Sequence, residues 1–101
     1  MKRQIEEPET IDLPIDGVLD LHTFQPREVK KLVPDYLAAC RQRGITEVRI
    51  IHGKGTGILR RIVHSVLSSL PEVISFQLAE GSAGGWGATI VILKPLELST
   101  S

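Results

Sequence analysis

The sequence predicts an α/β fold: a two-layer sandwich of order β-α-β-α-β-β, with two helices on one face of a four-stranded mixed sheet. Three observations carry the prediction. Apolar residues alternate or run continuously in four short segments and recur at i, i+3, i+4 in two longer ones. The first two strand patterns are each followed by a helix pattern, which implies parallel strands joined by right-handed crossovers. The last two strand patterns have only a glycine-rich stretch between them, so a long-looped hairpin closes the sheet. Each helix has one apolar stripe, and a single sheet face suffices to bury both.

Residues 1–17 carry acids and prolines without a sustained period and are read as an acidic arm, with Ile11, Leu13 and Ile15 alternating along the body. Val18–His22 alternates, placing Leu19 and Leu21 on one face and Val18, Asp20 and His22 on the other. Pro26 sits where a first helical turn accepts it. Val29, Leu32, Val33, Tyr36, Leu37 and Cys40 then form the stripe, Pro34 is expected to kink it, and Gly44 closes it. Glu47–His52 reads as the second strand. After Gly53–Gly57, a second stripe of Leu59, Ile62, Val63, Val66, Leu67 and Leu70 runs until Pro71 stops it. Val73–Ala79 places Ile74, Phe76 and Leu78 on one face. Ala88–Leu93 is continuously apolar, as in a strand that is central or covered on both faces. The body therefore spans 18–94, followed by a tail over 95–101.

Composition narrows the class. In 101 residues, 42% are apolar and 24% charged, with 12 Lys+Arg balancing 12 Asp+Glu, which excludes a disordered chain. No apolar run approaches the ~18 residues that cross a bilayer, and the start, MKRQIEEPETIDLP, has no signal-peptide segment. Cys40 stands alone, without a disulfide or zinc spacing. A soluble, cytoplasmic, monomeric domain with no membrane partner is expected. Zero net charge conceals an uneven distribution: residues 22–64 hold nine of the basic residues against three acids. That basic middle is either a footprint for phosphates or two solvated helix faces.

Glycine is concentrated where the chemistry could sit. Three of nine glycines fall in 53–57 and four in 81–87. Gly53-Lys54-Gly55-Thr56-Gly57 leads from a strand into a helix N-terminus, where unpaired N–H groups and the helix dipole favour an anion, and Lys54, Arg60 and Arg61 add to that field. The spacing matches neither the Walker loop nor the full dinucleotide fingerprint, so a structural turn stays open beside phosphate binding. Gly55→Ala is expected to damage binding if Gly55 adopts positive φ. Asp20 and His22 lie two apart on one strand face, and His52 ends the next strand, so all three and the loop are expected at one rim. The carboxylate can orient an imidazole as general base, or the pair can hold a divalent cation, magnesium or manganese. His64 falls off the second stripe and is expected to be exposed. Trp86, flanked by Gly85 and Gly87, either pins its loop or offers a stacking face to a base.

Leu19-Asp20-Leu21-His22, Ile51-His52-Gly53-Lys54-Gly55-Thr56-Gly57 and Gly84-Gly85-Trp86-Gly87-Ala88-Thr89 together resemble, in order and spacing, the Smr (small MutS-related) domain over about residues 18–94. The resemblance implies a fold like the C-terminal domain of translation initiation factor three. It also implies nucleic-acid binding, with nicking endonuclease activity on DNA or RNA in several members. The family's LDxH motif falls on Leu19 to His22, implying catalytic roles for Asp20 and His22. Its HGxG motif falls on His52 to Gly55, for the phosphate backbone, and GGxGxT falls on Gly84 to Thr89. Thr23 stands where the family's LDLHG has its last glycine; a β-branched residue does not readily adopt positive φ, so the backbone there is expected to differ.

Three functions follow as alternatives. The first is an endonuclease using Asp20, His22 and His52. Nucleic acid would be gripped by residues 53–57, Arg60, Arg61 and the loop of Gly84, Gly85, Trp86 and Gly87. The second is a DNA- or RNA-binding module without cleavage. The third is a small-molecule phosphate binder resting on the glycine loop alone.

Overall fold

The computed structural model describes residues 13–79 and 87–96. Its elements are β1 (Val18–Asp20), α1 (Pro26–Gln42), β2 (Glu47–Ile51), α2 (Ile58–Ser69), β3 (Val73–Leu78) and β4 (Ala88–Leu93). The strand order across the sheet is β1-β2-β4-β3. β1 and β2 are parallel, and β4 runs antiparallel to both β2 and β3. The expected two-layer, mixed-sheet architecture is the one observed. The arm before Leu13, the tail after Leu96, and Gly84, Gly85 and Trp86 lie outside the described residues.

The core is one cluster between the helices and one sheet face. Leu19, Val48, Ile50, Val91 and Leu93 supply the sheet side, Val29, Val33, Leu37 and Cys40 come from α1, and Val63 and Leu67 come from α2. Register explains the choice of face: Ile50 stands opposite Thr89 and Val48 opposite Val91, so these side chains share a face with Phe76 and Leu78 of β3. β4 is central rather than covered on both sides, because Ile90 and Ile92 face away from the helices and are only half-buried.

α1 is entered through a turn in which the Phe24 N–H donates to Leu21 O at 2.9 Å, and Glu28 reaches back to accept the Gln25 N–H at 2.7 Å. Thr23 occupies this turn, at the surface. The helix continues through Pro34 as one element. Gly44, at φ +78°, follows its C-cap. Tyr36 pins α1 to the start of β1: its buried hydroxyl accepts the Gly17 N–H and donates to Val18 O, both at 3.1 Å.

β3 departs from the expected pattern. The register steps from Val73↔Leu93 to Ser75↔Ile92, so Ile74 and Ser75 together oppose one residue. This bulge turns Ile74 outward, to 57% exposure, and it does not share the face of Phe76 and Leu78. Strict alternation cannot reveal an inserted residue.

Candidate functional site

The rim at the C-terminal ends of β1 and β2 gathers the chemistry. Asp20 is in register with Ile51, and the Leu21 N–H donates to Ile51 O at 2.9 Å, so the two chain exits are held side by side. Neighbouring strands lie about 4.8 Å apart, which puts the Asp20 and His52 exits within one strand spacing.

Asp20 and His22 form a closed pair. Asp20 Oδ1 accepts the His22 backbone N–H at 3.0 Å and His22 Nδ1–H at 2.9 Å. A carboxylate only accepts, so Nδ1 carries the proton and Nε2 presents its lone pair. The side chains are 74% (His22) and 48% (Asp20) exposed, so that lone pair faces solvent. The His22 backbone N–H, and then its ring, hold the Asp20 carboxyl below the usual carboxylate range. Oriented base and open access are what general-base catalysis needs.

The same geometry bears on the cation reading. The atoms that Asp20 and His22 turn toward each other are used on each other, and Nε2 points elsewhere. Among the described residues no group of three His, Cys, Asp or Glu could hold a metal ion. Both contacts use Oδ1, so Asp20 Oδ2 is the carboxylate oxygen the pair leaves over, and a magnesium or manganese ion there would complete its shell with water and substrate phosphate.

The loop after β2 forms a cleft of about 180 Å³ lined by Gly53, Lys54, Gly55, Thr56, Gly57 and Arg60. Gly53 and Gly57 adopt positive φ, +82° and +88°, and Gly57 is the N-cap of α2. Gly55 is not among the positive-φ glycines, so the backbone demand lies on either side of it. Thr56 Oγ1 accepts the Ile58 N–H at 3.3 Å. The N–H groups of Leu59 and Arg60 have no partner inside the helix, being in its first turn. That turn holds no acid, while Lys54, Arg60 and Arg61 place three cations at the positive end of the dipole. Such an arrangement is unfavourable for an isolated helix and favourable once an anion is bound. Arg61 is exposed but does not line the cleft.

His52 sits elsewhere than expected. It shares the parity of Ile50, so it turns to the helix side of the sheet, while Asp20 lies on the opposite side. It is 6% exposed, with Nδ1 3.1 Å from Gly53 O and Nε2 2.8 Å from Thr89 Oγ1. Both ring nitrogens are engaged, so His52 braces the loop and does not join Asp20 and His22. Its backbone N–H and that of Gly53 both donate to Gly87 O, at 2.8 and 2.9 Å. Gly87 lies against the loop: a Cβ there would be in ordinary contact, 3.5 Å from Gly53 Cα and from Lys54 Cγ.

His64 is not exposed. Half-buried, it places Nε2 2.8 Å from Thr89 Oγ1, sets its ring edge-on to His52 with centroids 6.1 Å apart, and packs on Phe76 at 5.0 Å. Burial holds both histidines below the ordinary histidine pKa; Arg60 adds to this for both, and His52 does so for His64. Sequence reading missed His64 because a histidine at the edge of a stripe resembles a solvated one. Thr89 was visible only as the end of a glycine motif. The available signal was a lone polar residue on the inward parity of an apolar strand.

Comparison with known proteins extends this geometry. A profile of the Smr domain family matches residues 19–94. The Endonuclease MutS2 of Clostridium perfringens (strain 13 / Type A) is 39% identical over 80 residues, covering 79% of this chain and 10% of that protein. The Endonuclease MutS2 of Carboxydothermus hydrogenoformans is 41% identical over 76 residues, 75% of this chain and 10% of that protein. The chain thus spans about a tenth of the length of the curated relatives it matches. Among solved structures, the Smr domain of Thermus thermophilus MutS2 superposes with a TM-score of 0.75 at 35% identity, covering 79% of this chain and all of that one. YdaL, a stand-alone small MutS-related protein from Escherichia coli, gives 0.72 at 30% identity, over 77% of this chain and 64% of its own.

Proposed function

Given that the chain belongs to the Smr domain family, we propose that it binds DNA or RNA along the rim of β1 and β2 and nicks the phosphodiester backbone there. One observation carries the reading: an imidazole aimed by a carboxylate, with its basic nitrogen free, one strand away from a cationic cleft at a helix N-terminus. The endonuclease names of its MutS2 relatives support the reaction class.

In this reading a backbone phosphate enters the cleft. Lys54, Arg60 and the first-turn N–H groups of α2 hold it and offset the charge that develops on phosphorus oxygens. His22 Nε2 removes a proton from water as the water oxygen bonds to phosphorus. The P–O bond to the leaving sugar oxygen breaks, and that oxygen is protonated from solvent. Asp20 keeps the ring in the productive tautomer and stabilises the imidazolium, as a positioned carboxylate does for a catalytic histidine. His52 organises the loop rather than touching the reacting atoms. No step is routed through a metal ion.

A module that binds without cutting is the second reading, and the withdrawal of His52 from the rim favours it, leaving a single base. Supercoiled plasmid nicking, with and without magnesium, and a salt titration of oligonucleotide binding separate the readings. Open-circle product together with salt-dependent binding supports the nuclease. Binding without product leaves the module, and the loss of both overturns the proposal.

A further inference from the structure

We propose that Thr89 is a positioning residue for the phosphate cleft, locking the loop in its gripping conformation through His52 and being pinned itself by His64. The inference rests on the nucleic-acid reading above and adds a residue that the cleft does not contain.

Thr89 is fully buried on the helix-side face of β4, in line with Val91 and Leu93. A hydroxyl among such neighbours is costly unless it is hydrogen-bonded. Its Oγ1 lies 2.8 Å from Nε2 of both His52 and His64. For neutral rings the donors and acceptors can be ordered in one way only. Gly53 O can only accept, so His52 Nδ1 donates to it and His52 Nε2 becomes an acceptor. The Thr89 hydroxyl must then donate to His52 Nε2, and its oxygen accepts the His64 Nε2–H. The relay runs from α2 through β4 to the first glycine of the loop. The two rings meet edge-on, and Arg60 is the charged group whose field disfavours a proton on either.

The relay governs the half of the loop whose backbone polar groups are already used within the protein. His52 N–H and Gly53 N–H are committed to Gly87 O, and Gly53 O is committed to His52. With that half fixed, Lys54 to Gly57 and the start of α2 are presented to the cleft. Without the Thr89 hydroxyl, His52 Nε2 becomes a buried acceptor with no donor. The ring then reorients or changes tautomer, Gly53 O is released, and the competent conformation is only part of the ensemble.

Thr89→Val keeps the shape and removes the hydroxyl; Thr89→Ser restores it. If the competent fraction falls to about a tenth, Thr89→Val raises the oligonucleotide Kd about tenfold, while Thr89→Ser stays within about twofold of wild type. Substrate binding draws the protein into the competent conformation, so the loss falls chiefly on Kd and less on the single-turnover nicking rate at saturating substrate. Nitrogen NMR of His52 reads the Nδ1–H tautomer in wild type and Thr89→Ser and its loss in Thr89→Val. Circular dichroism establishes that the variants are folded. A folded Thr89→Val with wild-type Kd and an unchanged His52 tautomer overturns the inference. If Thr89→Val does not fold, His64→Leu carries the test: it removes the pin alone, a raised Kd is expected, and a wild-type Kd overturns it. A wild-type protein that binds no oligonucleotide overturns the nucleic-acid reading instead, and the His52 tautomer in the variants still decides the role of Thr89.

Discussion

Asp20 uses one oxygen for two tasks, ending the strand through the His22 N–H and aiming the His22 ring through Nδ1. Asparagine in its place preserves the acceptor and removes the charge. Asp20→Asn is therefore expected to fold, to bind oligonucleotide as well as wild type or slightly better, and to nick about 10²-fold more slowly, the usual scale for a disabled acid–base group. Nicking by highly purified Asp20→Asn at the wild-type rate would falsify the assignment. His22 and His52 illustrate how far residue type underdetermines role. Both follow hydrophobic residues at strand ends, yet one is open to solvent and the other is closed on both nitrogens.

The loop between β2 and α2 gains its shape from two positive-φ glycines and its charge from the helix that follows. Gly53→Ala at φ +82° meets no atom within 4 Å, so its cost is backbone strain alone, about 1–2 kcal/mol of stability. Gly55→Ala, equally uncrowded and without a positive φ, is expected to leave the denaturant midpoint nearly unchanged. Equal midpoints for the two would remove the strain argument. For charge, Lys54→Ala and Arg60→Ala should each lower the slope of log affinity against log salt by about one unit, one phosphate contact apiece. Arg61, on the same turn but outside the cleft, should change it less. An unchanged slope in both cleft variants would move the binding face away from this helix end.

At the scale of the whole molecule, buried His52 and half-buried His64 tie stability to pH. His52 and His64 both have folded pKa values below the ordinary 6.5, chiefly because burial penalises the charged form. The unfolded chain then binds protons that the folded chain refuses. Their stabilising contribution is complete above about pH 6.5 and is lost as pH falls from there through the lower folded values. The loss is at most about 1.4 kcal/mol per pH unit for each histidine. The thermal midpoint of the wild type should therefore drop between pH 7.5 and 5.5, and drop less in His64→Leu; identical drops would place the acid sensitivity elsewhere. The sequence by itself determined the order of elements, because stripes of period 3.6 and runs of apolar residues each have one economical partner, a shared core. It also determined that the exits of β1 and β2 would lie beside a glycine–lysine loop. Ala88–Leu93 was legible to the residue, and the ends of β1 and β2 ran one or two residues short of their patterns because the chain there turns away to form the rim. Tertiary structure alone decided which of the rim residues meet. The face of the sheet to which a strand-end side chain turns depends on register with a neighbour far away in sequence, and the Ile50–Thr89 pairing sent His52 inward to Thr89 and His64 while Asp20 and His22 stayed outside.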